Sequence, residues 1–409
     1  MSEYRSESVA LLLERSEQEQ CEAEQQALAK ARELSSEFST LLLENRDMRA
    51  ELPWPQLERL KASGLTNAVI PPSRGGLGLR WPVIGRIVRE IAAGDGSVGA
   101  LLGYHTMQLF HIRREPTSRW HELERRIARD RLWLAGVVNP RDDNVQATPV
   151  QDGFVLNGRK NFCTGNGVAD LLTLSITLPD GQGGFVLVPA TTAGIKRQHN
   201  WDAIGLERSE SGSVVLEDVR VARDQITLDD DDAAGRFLST IRGPVNQSIF
   251  VNFYTGYTEG AVRATRHFVH DYARPWLRSD AETAADDTLI RSRFGELWVE
   301  HQASLALADR ALEHMQVLLA AAEGFSDEQR GEAAAAVATA KTHAARKGLA
   351  VCSDCFELMG ARATSNRYAL DRFWRDLRTH SLHAPIMYKL LEVGDYALNG
   401  RYAEPGAYQ

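Results

Sequence analysis

The periodicity of this chain changes twice, and that pattern constrains its fold more than any other feature. From about residue 5 to 125, apolar residues recur at helical spacing. From about 130 to 225, short apolar runs are bounded by turn residues such as Asp152-Gly153 and Asp180-Gly181, a pattern typical of strands. From about 230 to 400, long helical stretches return, and residues 327–347 are rich in strong helix formers.

This order of segments predicts three domains in a chain of 409 residues. We expect an N-terminal helical domain over 1–128, a middle β domain over 129–228 and a C-terminal helical bundle over 229–409. The β segment has the short strands and turns of a small antiparallel barrel or sandwich. A final helix is expected after Pro385. The fold class is therefore mostly α with a central β domain.

Composition argues against several classes of protein. The net charge of −8 gives no basic surface for nucleic acid or for an anionic membrane. No apolar run approaches the roughly 20 residues that span a bilayer, and the N-terminus lacks the apolar core of a signal peptide. We expect a cytoplasmic protein. Cys352 and Cys355 lie in a helical stretch. The sequence has no second closely spaced cysteine pair, so it does not predict a metal site.

Two histidines near the C-terminus are the first candidates for chemistry. His380 and His383 are three residues apart, and Pro385 disfavours helical structure at Ala384, so the pair lies at a helix end. A metal site would need a third ligand, and Asp376 is the nearest carboxylate. Because imidazole titrates near neutral pH, we favour hydrogen bonding to a cofactor or proton transfer.

Other candidates are each compatible with a purely structural role. His105 lies on an apolar helix, where a histidine is often buried and bonded to a carbonyl group. The motif Phe162-Cys163-Thr164-Gly165 could be an ordinary hairpin corner, and Trp201 could cap the β core. Arg274 and Arg362 follow helix ends, and their guanidinium groups suit either solvent or a bound phosphate. No GxGxxG motif follows a strand and no P-loop is present, so a bound nicotinamide coenzyme is not supported.

Taken in order over roughly residues 50 to 405, these motifs resemble the acyl-CoA dehydrogenase superfamily. Within it they resemble the group D flavin-dependent monooxygenases, which use reduced FMN, and most of all the enzymes of the dibenzothiophene and alkanesulfinate monooxygenase type. The resemblance implies a middle antiparallel β-barrel, a C-terminal four-helix bundle and a homotetramer. Acyl-CoA dehydrogenases carry a catalytic Glu after an Arg-Asp pair. Counted from Arg375-Asp376, that position is Ala384 here.

The resemblance also implies roles for individual residues. The catalytic residues would be His105, Thr164, His380 and His383. The cofactor would be held by Phe162, Cys163, Thr164, Trp201, Arg274, Arg362 and His383, with Arg274 coming from a neighbouring subunit. The substrate pocket would be lined by Tyr104, Val137, Val138 and Phe250. No metal is implied.

The implied reaction is that of a two-component monooxygenase. A separate NAD(P)H:flavin oxidoreductase supplies reduced FMN, which reacts with O2 to a C4a-hydroperoxide and oxygenates a small organosulfur compound such as a thiophene, a sulfide or sulfoxide, or an alkanesulfinate. Three alternatives remain: a monooxygenase of the same fold that hydroxylates nitrogen or aromatic carbon, an FAD-containing acyl-CoA dehydrogenase whose base has moved, for example to Glu259, and a catalytically silent scaffold.

Overall fold

The computed structural model describes residues 14–44, 51–114, 117–142, 145–228, 233–321 and 324–406. The start of the predicted N-terminal helical stretch, before residue 14, lies outside this range. Within the described part of the N-terminal region, five α-helices are present: α1 Glu17–Glu44, α2 Trp54–Ser63, α3 Trp81–Gly94, α4 Gly96–His111 and α5 Thr117–Asp130.

Local sequence sets where these helices begin. Proline lies in the first turn of α2 and of α3, where its missing N–H is not needed. Asp95 caps α4 by accepting a hydrogen bond of 3.1 Å from the N–H of Val98. The cap matters for function because α4 carries Tyr104 and His105.

Eight strands are present in the described middle part of the chain, over residues 117–142 and 145–228. They are β1 Leu134–Val137, β2 Val145–Val150, β3 Gly153–Lys160, β4 Leu171–Thr177, β5 Gly183–Pro189, β6 Ile195–Arg197, β7 Val214–Ala222 and β8 Ile226–Leu228. The strand order is β6-β7-β3-β2-β4-β5-β8, and β1 pairs with β4. The inward-facing side chains form an apolar core of their own, which includes Leu156, Leu172, Val186 and Val214.

The expectation of a wholly antiparallel barrel needs correction. Strands β1 and β2 both pair with β4 in parallel, so the sheet is mixed, and among the described strands its order ends at β6 and β8 without closing. The reason is the connection between β3 and β4. Residues 161–170 do not form a tight hairpin but cross past β2, which leaves β4 parallel to β2. Turn residues reveal where strands end, not which strands become neighbours.

Among residues 233–321 and 324–406, the C-terminal part contains five α-helices: α6 Ala233–Asp271, α7 Thr288–Ala321, α8 Asp327–Met359, α9 Arg372–Ser381 and α10 Ile386–Asn399. Helix α8 begins with a capping box between Ser326 and Gln329. The helix predicted after Pro385 is confirmed as α10. Cys352 and Cys355 are buried free thiols within α8. No helix of the described ranges is long and apolar enough to cross a membrane.

The two helical parts share one apolar core. Helix α3 packs on α6 and α4 packs on both, and the indole N–H of Trp81 donates a 3.1 Å hydrogen bond to Ser248 Oγ of α6. Gly85 allows α3 to pack closely against α7 as well, since a Cβ there would lie 2.6 Å from Leu312 of α7. The N-terminal helices therefore stabilise the face of α6 that reaches the functional site.

A buried ion cluster anchors α5. Glu124 is fully buried and contacts Arg74 Nε at 2.6 Å and Arg113 Nη2 at 3.3 Å. Both guanidinium groups also lie over the ring of Trp120, at 4.6 and 5.4 Å from its centroid. Removing the carboxylate charge would take away the anion that these two buried guanidinium groups share.

We expect Glu124→Gln to lower the free energy of unfolding by about 3–5 kcal/mol, because breaking a buried ion pair leaves uncompensated charge. Urea unfolding would measure the loss. The matched control is Glu122→Gln on the same helix, whose carboxylate forms an exposed pair with Arg125 at 3.5 Å and should contribute less than about 1 kcal/mol. Equal losses of unfolding free energy for the two variants would contradict the conclusion that Glu124 stabilises the fold through its buried ion pairs.

Candidate functional site

The histidine pair lies where α9 ends. The N–H of His383 donates to the carbonyl of His380 at 3.0 Å, which closes the last turn before Pro385. This turn stacks the two imidazoles, with centroids 5.6 Å apart and planes inclined by only 6°. The sequence prediction that a helix end brings these side chains together is therefore confirmed.

His380 is buried and held by two tyrosines. Its Nε2 lies 3.2 Å from Tyr104 Oη, and its Nδ1 lies 3.2 Å from Tyr254 Oη. The Tyr254 hydroxyl also donates to the His380 carbonyl at 3.1 Å. Both Tyr254 contacts are satisfied if Nδ1 carries the proton, and Nε2 then accepts from Tyr104. Burial, together with His383 and Lys341, lowers the pKa of His380 well below its usual value, so the ring is neutral at pH 7.

Aromatic side chains surround both imidazoles. The ring of Phe250 lies edge-on at 4.6 Å from His380 and at 4.9 Å from His383, and Phe253 lies 5.0 Å from His380. Tyr104 is half-buried and tilts against Phe250 at 5.6 Å. His383 has solvent access that His380 lacks. Surrounding protein and Lys341 nevertheless lower the pKa of His383, to about 4.

A second group of residues comes from the β domain. Thr164 is buried at the crossing after β3, and its hydroxyl lies 2.9 Å from Ser211 Oγ, which in turn lies 2.8 Å from Ser209 Oγ. The neighbouring Phe162 adopts a left-handed backbone with φ of 56° and leaves its ring 68% exposed. Its ring meets Trp201 edge-on at 6.2 Å. This corner therefore combines a buried hydroxyl with two aromatic rings that contact each other.

Several polar contacts join the loop over residues 204–207 to the histidine helix α9, and Arg375 provides two of them, to the Ile204 carbonyl and to Glu207. The N–H of Leu206 donates to Asp376 Oδ1 at 2.6 Å, and the Trp201 indole donates to the Leu206 carbonyl at 2.8 Å. Gly205 fits against α9 only because it lacks a side chain, since a Cβ would lie 2.2 Å from the Arg375 carbonyl. Burial raises the pKa of Asp376 to about 7, although the Leu206 N–H favours the carboxylate. The Trp201 loop is thereby seated one helical turn before His380.

The structure separates His105 from the pair. Its Nδ1 accepts from the Leu134 N–H at 3.0 Å and its Nε2 lies 3.0 Å from the Thr66 carbonyl. Trp133 stacks on the ring at 4.7 Å, and burial lowers the pKa of His105 to about 4. Both ring nitrogens are used by backbone groups in the neutral form. We therefore correct the proton-handling role to a structural one, in which His105 ties α4 to β1.

The predicted substrate pocket is only partly assembled as expected. Tyr104 and Phe250 do lie against the histidines. Val137 instead faces the core of the sheet and is fully buried there, because side chains alternate along β1. Val138 follows on the opposite side, where Gly136 also faces α4. The Val137 assignment is therefore corrected, and Val138 stays a prediction.

Arg274 and Arg362 lie together, far from the histidines of the same chain. Both are exposed, and Arg362 Nη1 donates to the Tyr272 carbonyl at 3.2 Å. Helix α6 runs from Phe250 to Asp271 between the two places, a distance of roughly 30 Å at 1.5 Å per residue. Neither arginine can reach its own chain's pair, so a shared ligand would require another copy.

Sequence reasoning missed several site residues. Tyr254 follows Phe250 by four positions on α6, and helical spacing alone could have identified it. Lys341 has no local signal, because its partner Gln247 comes from another segment. Within the described residues, no group of three His, Cys, Asp or Glu side chains could hold a metal ion.

Comparisons with known proteins agree with this arrangement. The model of the acyl-CoA dehydrogenase N-terminal domain matches residues 21–117, and that of the C-terminal domain matches residues 248–387. The chain belongs to the acyl-CoA dehydrogenase family. The resemblance seen in the sequence motifs and the predicted fold class are thus confirmed.

Three relatives narrow the comparison. Dibenzothiophene monooxygenase of Rhodococcus erythropolis is 35% identical over 94% of this chain and 96% of its own. The structure of methanesulfinate monooxygenase MsuC from Pseudomonas fluorescens is 32% identical, with a TM-score of 0.89 over 93% of this chain and 99% of its own. FMN-bound TdsC from Paenibacillus sp. A11-2 is 32% identical, with a TM-score of 0.88 over 94% of this chain and 100% of its own.

The surroundings of Ala384 and Glu259 test the alternative that the protein is an acyl-CoA dehydrogenase whose catalytic base has moved. Ala384, which stands where the catalytic Glu is expected, is buried and cannot accept a proton. Glu259 does not replace it, because its carboxylate is paired with Arg263 Nε at 2.6 Å and with the buried His301. These cationic and hydrogen-bonding partners overcome the effect of burial and lower the pKa of Glu259 to about 2. An ion-paired carboxylate of this kind is a poor base.

We expect His105→Ala to unfold more easily, by about 2–5 kcal/mol, because it leaves a cavity and two buried backbone groups without partners. Thermal and urea unfolding would measure the change, and the turnover of the folded fraction should persist. The control is His199→Ala, at an exposed histidine. A variant of normal stability that has lost turnover would instead restore the proton-handling role.

Proposed function

We propose that the protein is a two-component flavin-dependent monooxygenase, which uses reduced FMN and O2 to oxygenate the sulfur of a small organic compound. The observation that carries this proposal is the neutral, aromatic-walled pair of His380 and His383 in the place of the family's carboxylate base. The similarity of the whole chain to dibenzothiophene monooxygenase and to MsuC supports an organosulfur substrate.

The residues of the site fit FMN. Thr164 offers a hydroxyl and its loop offers backbone groups for the edge of the flavin ring, while Phe162 and Trp201 offer aromatic walls. Arg274 and Arg362 of a neighbouring copy suit the phosphate. Bound reduced FMN supplies two electrons, so that one atom of O2 enters the substrate and the other leaves as water. A separate NAD(P)H:flavin oxidoreductase would provide it, since the chain lacks a nicotinamide-binding motif.

The protein's own groups would control protons and water. Because the pKa values of both histidines are depressed, neutral His383 can donate a hydrogen bond at pH 7 without releasing a full proton. Tyr104, bonded to His380 Nε2, is the half-buried hydroxyl positioned to relay a proton. Phe250 and Phe253 keep water from the reacting atoms, which protects the oxygen-transfer step from hydrolysis.

We further propose a cytoplasmic homotetramer. Within one chain, Arg274 and Arg362 lie roughly 30 Å from Phe250. A site that contains both the histidines and these arginines is therefore complete only when copies of the chain assemble. Exposed apolar side chains are available for such contacts on α10 and after α6, at Trp276, Leu277, Met387, Tyr388, Leu391 and Leu398.

The function is tested directly with isotopically labelled O2. The protein would be mixed with FMN, a flavin reductase, NADH and a panel of sulfides, sulfoxides, sulfones, thiophenes and sulfinates. We expect one labelled oxygen atom on sulfur in a product seen by mass spectrometry. Labelled oxygen on nitrogen or on carbon alone would point to another substrate class, and bleaching by acyl-CoA would restore the dehydrogenase alternative.

We expect His383→Ala to fold normally but to yield at least about tenfold less product per NADH, since removing one preorganised hydrogen-bond donor from an active site typically costs about 10²–10³-fold in rate. Hydrogen peroxide should account for the missing oxygen. The exposed variant His199→Ala serves as the control. A product yield equal to that of the wild type would remove His383 from the mechanism.

We expect Arg274→Ala to weaken FMN binding about tenfold or more, the loss typical of a charged hydrogen bond. Fluorescence titration would measure the affinity, and Arg278→Ala, on the same exposed segment, is the control. If Arg274 acts on a neighbouring copy, co-assembly of Arg274→Ala with His383→Ala chains should restore activity, because some sites then combine intact residues. No restoration would contradict the shared site.

A further inference from the structure

Two buried polar side chains lack hydrogen-bond partners at the place where α4 packs on the sheet. Gln108 of α4 is 4% exposed, and Thr173 of β4 is 7% exposed. Among the described residues, neither Gln108 Oε1 nor Thr173 Oγ1 has a partner, so the two groups do not bond to each other either. Buried polar groups are almost always paired, because an unpaired one is unfavourable, so a missing partner is a sign of a ligand.

Gly136 of β1 brings these two groups to one place. A Cβ at Gly136 would lie 2.7 Å from Gln108 Nε2, so the amide lies directly over this glycine. Thr173 pairs with Gly136 in the parallel register of β1 and β4, and paired residues of neighbouring strands face the same side of a sheet. That side is the helical one, because Leu134 and Leu171, two positions earlier on each strand, belong to the core shared with the helices.

The place adjoins the histidine site. Gly136 and Val138 of β1 are only half-buried, so this side of the strand keeps contact with solvent. Gln108 follows Tyr104 by one turn of α4, about 6 Å along the helix axis, and Tyr104 Oη lies 3.2 Å from His380 Nε2. A ligand bound by the Gln108 amide would therefore lie within about one helical turn of the groups proposed for oxygen transfer.

The neighbouring polar groups of α4 have bonds of their own. His111 Nε2 lies 2.9 Å from Asn246 Oδ1 of α6, and both nitrogens of His105 contact backbone groups. We therefore assign the ligand to the Gln108 amide and the Thr173 hydroxyl. An amide and a hydroxyl carry no formal charge, and each can donate or accept a hydrogen bond.

We propose that Gln108 and Thr173 bind the oxygen atom of a small uncharged sulfoxide, which makes sulfoxides the substrate class of this enzyme; the inference rests on the proposed function. The Gln108 amide can turn an N–H toward that oxygen, because no partner holds Oε1 in place. The Thr173 hydroxyl can donate to it as well. An ionised sulfinate would find no cation in these two groups, which is unfavourable in a buried place, and a sulfide would leave both groups unpaired.

The reaction would convert the sulfoxide to a sulfone. One S–O bond forms with one atom of O2, and the sulfur loses two electrons. The reduced FMN of the proposed function supplies two further electrons, so that the second oxygen atom leaves as water. Gln108 and Thr173 would take part only by positioning the substrate.

Isothermal titration calorimetry of the full chain with oxidised FMN tests this assignment without any turnover. The probes are tetrahydrothiophene and its sulfoxide, which differ by one oxygen atom. We expect the wild type to bind the sulfoxide. Gln108→Leu and Thr173→Val should each weaken sulfoxide binding about three- to tenfold and leave sulfide binding nearly unchanged. The matched controls Gln302→Leu and Thr148→Val, at exposed positions, should bind both probes like the wild type.

The stability of Thr173→Val separates a ligand-binding hydroxyl from a structural one. Valine has nearly the shape of threonine, so removing a hydroxyl that has no protein partner should leave the melting temperature of the ligand-free protein unchanged or raise it. A hydroxyl that serves the fold, for example by binding a buried water, would lower the melting temperature when removed. That result would overturn the assignment of Thr173.

Three further outcomes would overturn the proposal. They are a wild type that does not bind the sulfoxide or variants that bind it equally well, tighter binding of methanesulfinate than of dimethyl sulfoxide, and a tenfold loss of FMN affinity in Gln108→Leu, which would assign the amide to the flavin. The assay with labelled O2 tests the proposed function separately. A chain that binds sulfoxides through Gln108 but does not oxygenate sulfur would keep the binding site and refute the monooxygenase.

Discussion

The set of contacts between the loop over residues 204–207 and Arg375 and Asp376 of α9 is the one on which the functional site depends. It holds the Trp201 loop of the β domain against α9, one turn before His380. Asp376 is buried and Gly205 fits against the α9 backbone without room for a side chain, so the loop has little freedom to take another position. Without this contact, the hydroxyl and aromatic corner at Thr164 would have no fixed relation to the histidines.

Burial among aromatic rings explains the chemistry that the family scaffold acquires here. A carboxylate at position 384 would be a base, whereas two imidazoles with depressed pKa values are neutral donors and acceptors at pH 7. The two tyrosines on His380 select one tautomer, and the half-buried Tyr104 connects that ring to the site. A site of this kind suits oxygen transfer more than removal of a proton from carbon.

Prediction from the sequence succeeded where the signal was local and failed where it depended on distant segments. The stacked arrangement of His380 and His383 follows from Pro385 and helical geometry, which are visible in the sequence. His105 is also a histidine on an apolar helix. Its partners, however, are backbone groups of residues 66 and 134, which no local pattern reveals. Val137 was misassigned for a similar reason, since the orientation of a four-residue strand depends on its register with β4.

By itself, the sequence determined the order of helical and strand segments, the helix end at the histidine pair and the loss of the family's base at Ala384. These are consequences of periodicity, proline stereochemistry and residue type, all of which act over a few positions. Only the tertiary structure decided which histidines lie side by side and which is bonded to backbone groups, how far Arg274 lies from the pair and that Lys341 is buried beside Phe250. Those features depend on hydrogen-bond partners, helix length and burial, which arise when segments far apart in the chain pack together.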